Sequence, residues 1–202
     1  KLDYELGVAG TVGNGVNDLI EVTGDLTLDG TLNITDVGGF GPGVYRLMNY
    51  GGALTNNELQ FGTTPVSASD LFIQTAIDGQ VNLISTAGAT LGFWDGGNAG
   101  LHDNGSIDGG DGVWDATNRN WAEADGAING KWGQDFAVFA GQAGTVTVDD
   151  SAGTVGFTGM QFMTDGYVID GDTLTTDTAA TTIRTDAGVT ATIAAEIAGT
   201  GG

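Results

Sequence analysis

The sequence has no cysteine, a single histidine and two prolines, and it contains no long apolar run. The absence of cysteine fits an extracellular protein that avoids accidental disulfides before export. Without a thiol or a second histidine, nucleophilic catalysis would have to use His102, which lies in a loop of Gly, Asp and Asn with no GxSxG element beside it. A solvated loop histidine is therefore the favoured interpretation. Because no apolar run approaches about 20 residues, we expect no transmembrane helix.

Basic residues are also scarce. Five Lys and Arg residues stand against 26 Asp and Glu residues, which gives a formal net charge of −21. Such an acidic surface repels nucleic acid phosphates and anionic lipids, so we expect neither nucleic acid nor direct insertion into a membrane. The hydrophobic content of 40% is too high, and too evenly spaced, for an intrinsically disordered chain.

The sequence is rich in residues that form strands and tight corners, including 37 glycines. Between Thr145 and Ala195, alternating apolar runs of three to five residues are each ended by Gly, Asp or Ser. Equivalent apolar positions return after about 20 residues, which is typical of a solenoid: Val146 to Tyr167, Phe162 to Ile183, and Leu174 to Ile193. We therefore predict an all-β parallel β-solenoid over residues 1–202. Its interior should contain Val146, Phe157, Phe162, Ile183 and Ile193.

Two interpretations remain open for the stretch from Asp18 to Ile34. Its apolar residues recur at a spacing of six, as in Ile20, Leu26 and Leu32. This favours successive faces of one coil that turns at Gly24 and Gly30. Alternatively, residues 26–32 form a β-hairpin around the Asp29-Gly30 turn. Further strands are predicted at 44–48, 59–61, 71–74 and 81–84, and the glycine-rich stretch 38–43 is read as a plain turn.

The periodicity fails between Leu91 and Gln134, a stretch that holds all four tryptophans. A long aperiodic stretch inside a periodic chain predicts a loop or small subdomain, and we expect residues 95–134 to protrude from the solenoid. Trp114 and Trp121 are then the candidates for contact with a partner. The alternative, which is favoured for the tryptophans as a group, is that they pack the loop onto the solenoid and are structural.

The same stretch carries many hard oxygen ligands, and Asp103, Asp108 and Asp111 are the candidates for a calcium site. The segment IDGGDGVWD approaches the GGxGxD repeat of calcium-binding β-rolls without matching it, and the EF-hand pattern lacks its glutamate. Acidic residues that cap turns are the favoured interpretation. We predict no required cofactor, with calcium as the one candidate.

An ordered series of motifs resembles the autotransporter-associated β-strand repeat of type V secreted passenger domains. The motifs are WDG, GVWDA, NW, DFAVFAG, GTVTVD, GMQFMTDGYVIDGDTLT and TATIAAEIAGTGG, preceded by NDLIEVTGDLTLDGTLNI and GVYRLMNYGG. The resemblance implies a right-handed parallel β-helix that is exported through the outer membrane of a Gram-negative bacterium by a C-terminal β-barrel. We expect that barrel and any signal peptide to lie outside this chain.

The resemblance also implies a function. It points to a surface-exposed, non-enzymatic passenger segment that acts as a rigid stalk or adhesive module. Its partners would be a protein or glycan on a host or neighbouring cell, or a second copy of itself. The alternative is a carbohydrate-active enzyme, a polysaccharide hydrolase or lyase, on the same fold. This alternative is disfavoured because plentiful carboxylates are not a catalytic pair and the acidic surface repels acidic polysaccharides.

Overall fold

Short strands joined by glycine-rich and aspartate-rich turns make up nearly all of the chain. The computed structural model describes residues 1–133, 135–176 and 180–199. Within these ranges the chain forms twenty strands and one 3₁₀-helix of three residues, Ala68–Asp70. No helix in the described part is long and apolar enough to span a membrane. The all-β prediction is therefore confirmed. The chain divides into two units, Lys1–Gly88 and Ala89–Gly202.

The first unit contains two sheets. A three-stranded sheet has the order β1-β3-β5 with parallel pairing, and a four-stranded sheet has the order β2-β4-β7-β6. In the second sheet β4 and β6 both run antiparallel to β7. The strands of this unit are β1 (Leu2–Leu6), β2 (Ile20–Val22), β3 (Leu26–Asp36), β4 (Gly43–Tyr50), β5 (Leu54–Phe61), β6 (Leu71–Gln74) and β7 (Gln80–Ser85).

The antiparallel pairs differ from the strictly parallel solenoid expected from the sequence. Strands β6 and β7 are joined by only five residues, and the turn ends at Gly79, whose φ is +74°. A connection this short reverses the chain, because parallel neighbours need a crossover of about a dozen residues. The four strands predicted between residues 44 and 84 are all present within β4 to β7.

The stretch around Gly30 is one continuous strand. Residues Leu26–Asp36 form β3, which pairs in parallel with β1 on one side and β5 on the other. The hairpin interpretation is therefore wrong, because both edges of this strand are taken by other partners. The chain does bend at Gly24. At Gly30, whose φ is +108°, the strand continues without a turn and only its register with β5 shifts.

The second unit is dominated by parallel ladders. Its sheets have the orders β11-β10-β8-β12-β15-β18, β19-β16-β13-β9 and β14-β17-β20. All pairs are parallel except those that β10 makes with β8 and β11. The strands are β8 (Leu91–Trp94), β9 (Gly112–Trp114), β10 (Trp121–Ala122), β11 (Asn129–Gly130), β12 (Phe136–Phe139), β13 (Thr145–Val148), β14 (Val155–Gly156), β15 (Gly159–Phe162), β16 (Val168–Gly171), β17 (Leu174–Thr176), β18 (Thr182–Thr185), β19 (Thr192–Ile193) and β20 (Ile197–Gly199).

The ladder register corrects the predicted repeat. Val146 lies opposite Ile169 and Phe139 opposite Phe162, a return of 23 residues in both sheets. The apolar spacing predicts Tyr167 as the partner of Val146, which is two residues too early. A two-residue error keeps every side chain on the same face of the sheet, because side-chain direction in a strand has a period of two. The alternating pattern therefore could not reveal it.

Four of the five predicted interior residues point inward. Val146, Phe157 and Phe162 are at most 2% exposed, and Ile193 packs against the core while partly buried. Ile183 is 41% exposed, so its assignment to the interior is wrong. It lies on β18, the last strand of the six-stranded sheet, where no further described strand covers it.

Candidate functional site

The aperiodic stretch is tied into the ladders of the second unit. Strand β9 pairs in parallel with β13, so Trp114 lies opposite Val148. Strands β10 and β11 form an antiparallel hairpin on β8, which places Trp121 opposite Trp94. Leu91 of β8 also pairs with Phe136 of β12, so the whole stretch is inserted between two neighbouring strands. These strands do not protrude, in contrast to the expectation for residues 95–134; Gln134 itself lies outside the described residues.

The four tryptophans form one buried cluster. Trp94 and Trp114 are fully buried, Trp121 is 3% exposed and Trp132 is 8% exposed. The ring centre of Trp114 lies 4.9 Å from that of Trp121 and 5.0 Å from that of Trp132, and both pairs have the edge-to-face geometry that aromatic rings prefer. The cluster continues through Phe139, which stacks on Phe162 at 4.8 Å. The expectation that Trp114 and Trp121 are displayed for partner contact is therefore wrong, and the packing alternative agrees with the structure.

Hydrogen bonding divides the indoles into two pairs. Trp94 Nε1 donates to the Gly110 carbonyl at 2.8 Å, and Trp132 Nε1 donates to the Gly156 carbonyl at 2.6 Å. The Nε1 atoms of Trp114 and Trp121 are buried and have no acceptor among the described residues. A buried donor without an acceptor costs about 1–3 kcal/mol. The ring packing of the cluster must offset that cost.

Asn129, on the edge strand β11, organises the polar side of the stretch. Its side-chain amide donates to Asp95 Oδ2 at 2.9 Å and accepts from the Asp103 backbone N–H at 2.7 Å. Its own backbone N–H donates to Asp103 Oδ1 at 2.5 Å, and its carbonyl accepts from Arg119 Nη2 at 2.6 Å. The outer edge of β11 is thereby satisfied by side chains. Unpaired edges of sheets can pair with strands of other chains, and these hydrogen bonds occupy the backbone groups at the edge of β11.

Asp95 is the buried anchor of this network, with 1% exposure. Its second oxygen accepts from the Asp108 backbone N–H at 2.7 Å. Burial raises the pKa of the Asp95 carboxyl above its ordinary value of 3.8, although these hydrogen bonds act in the opposite direction. The carboxylate ties together three parts of the stretch that are far apart in sequence.

The candidate calcium ligands are engaged in separate hydrogen bonds. Asp103 binds the Asn129 backbone, Asp108 accepts from Asn104 Nδ2 at 2.8 Å, and Asp111 accepts from the Thr145 backbone N–H at 2.7 Å. Within residues 1–133, 135–176 and 180–199, no group of three or more His, Cys, Asp or Glu side chains could hold a metal ion. The structure thus does not bring Asp103, Asp108 and Asp111 together as a ligand set.

His102 and Asp115 have local structural roles. One ring nitrogen of His102, Nε2, lies 2.9 Å from the Gly96 carbonyl oxygen. Asp115 accepts from the backbone N–H groups of Thr117 and Asn118 at 2.7 and 2.6 Å, which is the turn-capping role that short acidic side chains favour.

A shallow recess of about 200 Å³ opens beside the hairpin. Leu91, Trp121, Ile128 and Trp132 form its apolar lining, and Lys131 lies at its margin. The two tryptophans expose too little of their rings to offer a stacking platform for a sugar.

Sequence reasoning missed Asn129, the residue that holds this region together. Its sequence signal, Asn followed by Gly, is that of an ordinary turn. The side chains it joins lie up to 34 residues away, so no local pattern reports the network.

Comparison with known proteins gives one informative match. The chain is similar to a segment of the "Adhesin BmaC autotransporter" of Brucella suis biovar 1 (strain 1330), with 48% identity over 203 aligned residues. The alignment covers 94% of this chain and 6% of that protein, so the chain corresponds to a small part of its relative. No family model matches the chain. No solved structure matches it either. The match supports the resemblance to autotransporters that the motifs indicate.

Proposed function

We propose that this chain is a segment of the surface-exposed passenger of an autotransporter adhesin from a Gram-negative bacterium, where it acts as a rigid adhesive module. The observation that carries this proposal is the 48% identity to a protein named as an adhesin autotransporter. Because the alignment covers 94% of the chain, the similarity extends over both units and is not confined to one motif.

The proposed architecture is a right-handed parallel β-helix with passenger-type strand repeats, with residues 1–202 forming one passenger segment. Support comes from the second unit, where the three sheets are built mainly of parallel strands and two of them return after 23 residues, at Phe139 and at Val146. Aromatic stacking of Phe139 on Phe162 along this direction is what successive coils would produce. The two antiparallel strand pairs of the first unit, β4 with β7 and β6 with β7, are a local departure from this plan.

The proposed partner is a protein or glycan on a host or neighbouring cell. A net charge of −21 makes copies of the chain repel one another at low ionic strength, which disfavours self-association. The four tryptophans are buried, so partner contact would fall to other side chains at the surface, including the acidic residues on the turns. Contacts of this kind weaken with added salt when charges contribute to them.

A bead-adhesion assay tests the proposal. Beads coated with the folded chain should adhere to cultured epithelial cells more than beads coated with an unrelated acidic protein of matched charge. A second control is the Phe162→Asp variant, which places a charge in the core of the second unit and should unfold it. Adhesion equal to both controls would contradict an adhesive role. Release of reducing ends from a polysaccharide panel would instead favour the carbohydrate-active enzyme.

A further inference from the structure

The chain contains three Asn-Gly pairs, at Asn14, Asn104 and Asn129. Asparagine before glycine is chemically labile, because glycine has no Cβ to hinder the approach of its backbone nitrogen to the preceding side chain. Whether the reaction occurs in a folded protein depends on whether that nitrogen and the side-chain amide are free to meet. The three pairs differ in how far the structure restrains these two groups.

Asn129 is held most firmly. It is 2% exposed, and its amide is fixed at both ends by Asp95 and Asp103. Its backbone lies in β11, where Gly130 pairs with Trp121. Reaction at this position would require the hairpin to leave β8.

Asn104 is exposed but constrained. Its side-chain oxygen accepts from the Ser106 N–H at 2.7 Å, and its amide nitrogen donates to Asp108 Oδ2 at 2.8 Å. The attacking group, the backbone N–H of Gly105, donates to the Gly126 carbonyl at 3.1 Å. Both reacting groups are therefore engaged, and the loop must open before they can meet.

Asn14 has neither kind of protection. It lies at an exposed turn tip with φ of +64°, and a Cβ added to Gly15 would meet no atom within 4 Å. Within the described residues, no hydrogen bond holds the Asn14 side chain or the Gly15 N–H.

The base of this turn is fixed, and the Val16 and Asn17 N–H groups close the turn by donating to the Gly13 carbonyl at 3.3 Å, so these bonds use neither the Asn14 side chain nor the Gly15 N–H. Asn17 is 2% exposed; its side chain accepts from the Gly7 N–H at 2.6 Å and donates to the carbonyls of Val8 and Thr11 at 3.0 and 2.6 Å. None of these anchoring contacts involves Asn14 or Gly15.

We propose that Asn14 is a site of spontaneous deamidation and isoaspartate formation in the folded protein, and that the other two Asn-Gly pairs are protected by the fold. The Gly15 nitrogen attacks Asn14 Cγ and loses its proton, the bond from Cγ to the amide nitrogen breaks, and ammonia leaves. Water then adds to either carbonyl of the cyclic imide and opens it, giving aspartate or isoaspartate. The product carries one further negative charge on an exposed turn.

The test uses the complete chain, folded, in mildly alkaline buffer made with heavy-oxygen water at physiological temperature. Peptide mapping by mass spectrometry follows all three sites in the same molecules, and isoaspartyl methyltransferase labelling identifies the isoaspartate. We expect conversion at Asn14 to be roughly tenfold or more faster than at Asn104 and Asn129, since those two must wait for local opening. The Asn14→Gln variant should lose the signal, because the five-membered ring no longer forms.

A parallel incubation in guanidinium chloride separates the effect of the fold from that of the sequence. There the three sites should convert at similar rates, since all three have the same dipeptide. Equal conversion rates at the three sites in the folded protein would overturn the proposal, including the case in which Asn14 converts faster only after unfolding. Faster conversion at Asn104 or Asn129 than at Asn14 would overturn it too.

Discussion

Removal of the Phe162 ring tests whether the aromatic stack carries the stability of the second unit. Phe162 is 1% exposed and stacks on Phe139 with ring planes 12° apart. Truncation of a buried phenylalanine to alanine costs about 3–5 kcal/mol, because apolar contact is lost and a cavity remains. We expect Phe162→Ala to lower the free energy of unfolding by that amount, a large share of the stability of an ordinary domain.

The same unit provides a matched control in Ile183, which lies on the neighbouring strand β18. Ile183 is 41% exposed, and Ile183→Ala should therefore cost only about 1 kcal/mol. Urea unfolding followed by tryptophan fluorescence reports this unit alone, because all four tryptophans lie in it. Equal losses for the two variants would refute the assignment of Phe162 to the core and of Ile183 to an uncovered strand.

Three further predictions concern the inserted stretch. Gly109→Ala should destabilise the second unit more than Gly110→Ala, although both positions have positive φ. An added Cβ at Gly109 overlaps two carbonyl oxygens and the Tyr167 hydroxyl, whereas at Gly110 it meets nothing within 4 Å. Equal urea midpoints for the two variants would contradict this. Burial raises the pKa of Asp95 in the folded state, so the folded protein binds a proton on this carboxylate more tightly than the unfolded chain does. Lowering the pH from neutrality toward 3.8 should therefore raise the free energy of unfolding of the wild type relative to that of Asp95→Asn. Parallel profiles of stability against pH for the two proteins would refute this. Replacing residues 97–126 by a Gly/Ser bridge removes β9 and β10, so the second unit should lose its cooperative unfolding transition, and a deletion variant with native circular dichroism and an unchanged urea midpoint would show that these strands are dispensable.

The sequence was informative where structure depends on local pattern. Short, mainly apolar runs separated by polar turns located strands β4 to β7. Strand direction was less accessible, since β4 pairs antiparallel with β7, a strand from which β5 and β6 separate it in the chain. The return of 23 residues from Phe139 to Phe162 was hidden because a shift of two leaves the alternation unchanged.

The candidate site was harder to predict because its composition suggests the opposite of its structure. Gly, Asp and Asn around Trp114 and Trp121 are typical of an exposed loop, which made these two tryptophans candidates for a displayed surface beside the alternative that all four are structural. In the structure those polar residues satisfy one another and nearby backbone groups, as Asp103 does for Asn129. Such long-range pairing lets a polar stretch pack four indoles inside, and a single sequence does not reveal it.

The position of the inserted stretch explains why its aromatic residues are buried. Strand β8 pairs with β12 on one edge, and the β10–β11 hairpin covers the other edge. A strand left open there would expose unpaired backbone groups beside an apolar core, which is the condition under which sheets add foreign strands. The hairpin satisfies β8, and the contacts of Asp103 and Arg119 with Asn129 in turn satisfy β11. The tryptophans close the core at this end of the sheet, so their rings are not available for contact with a partner.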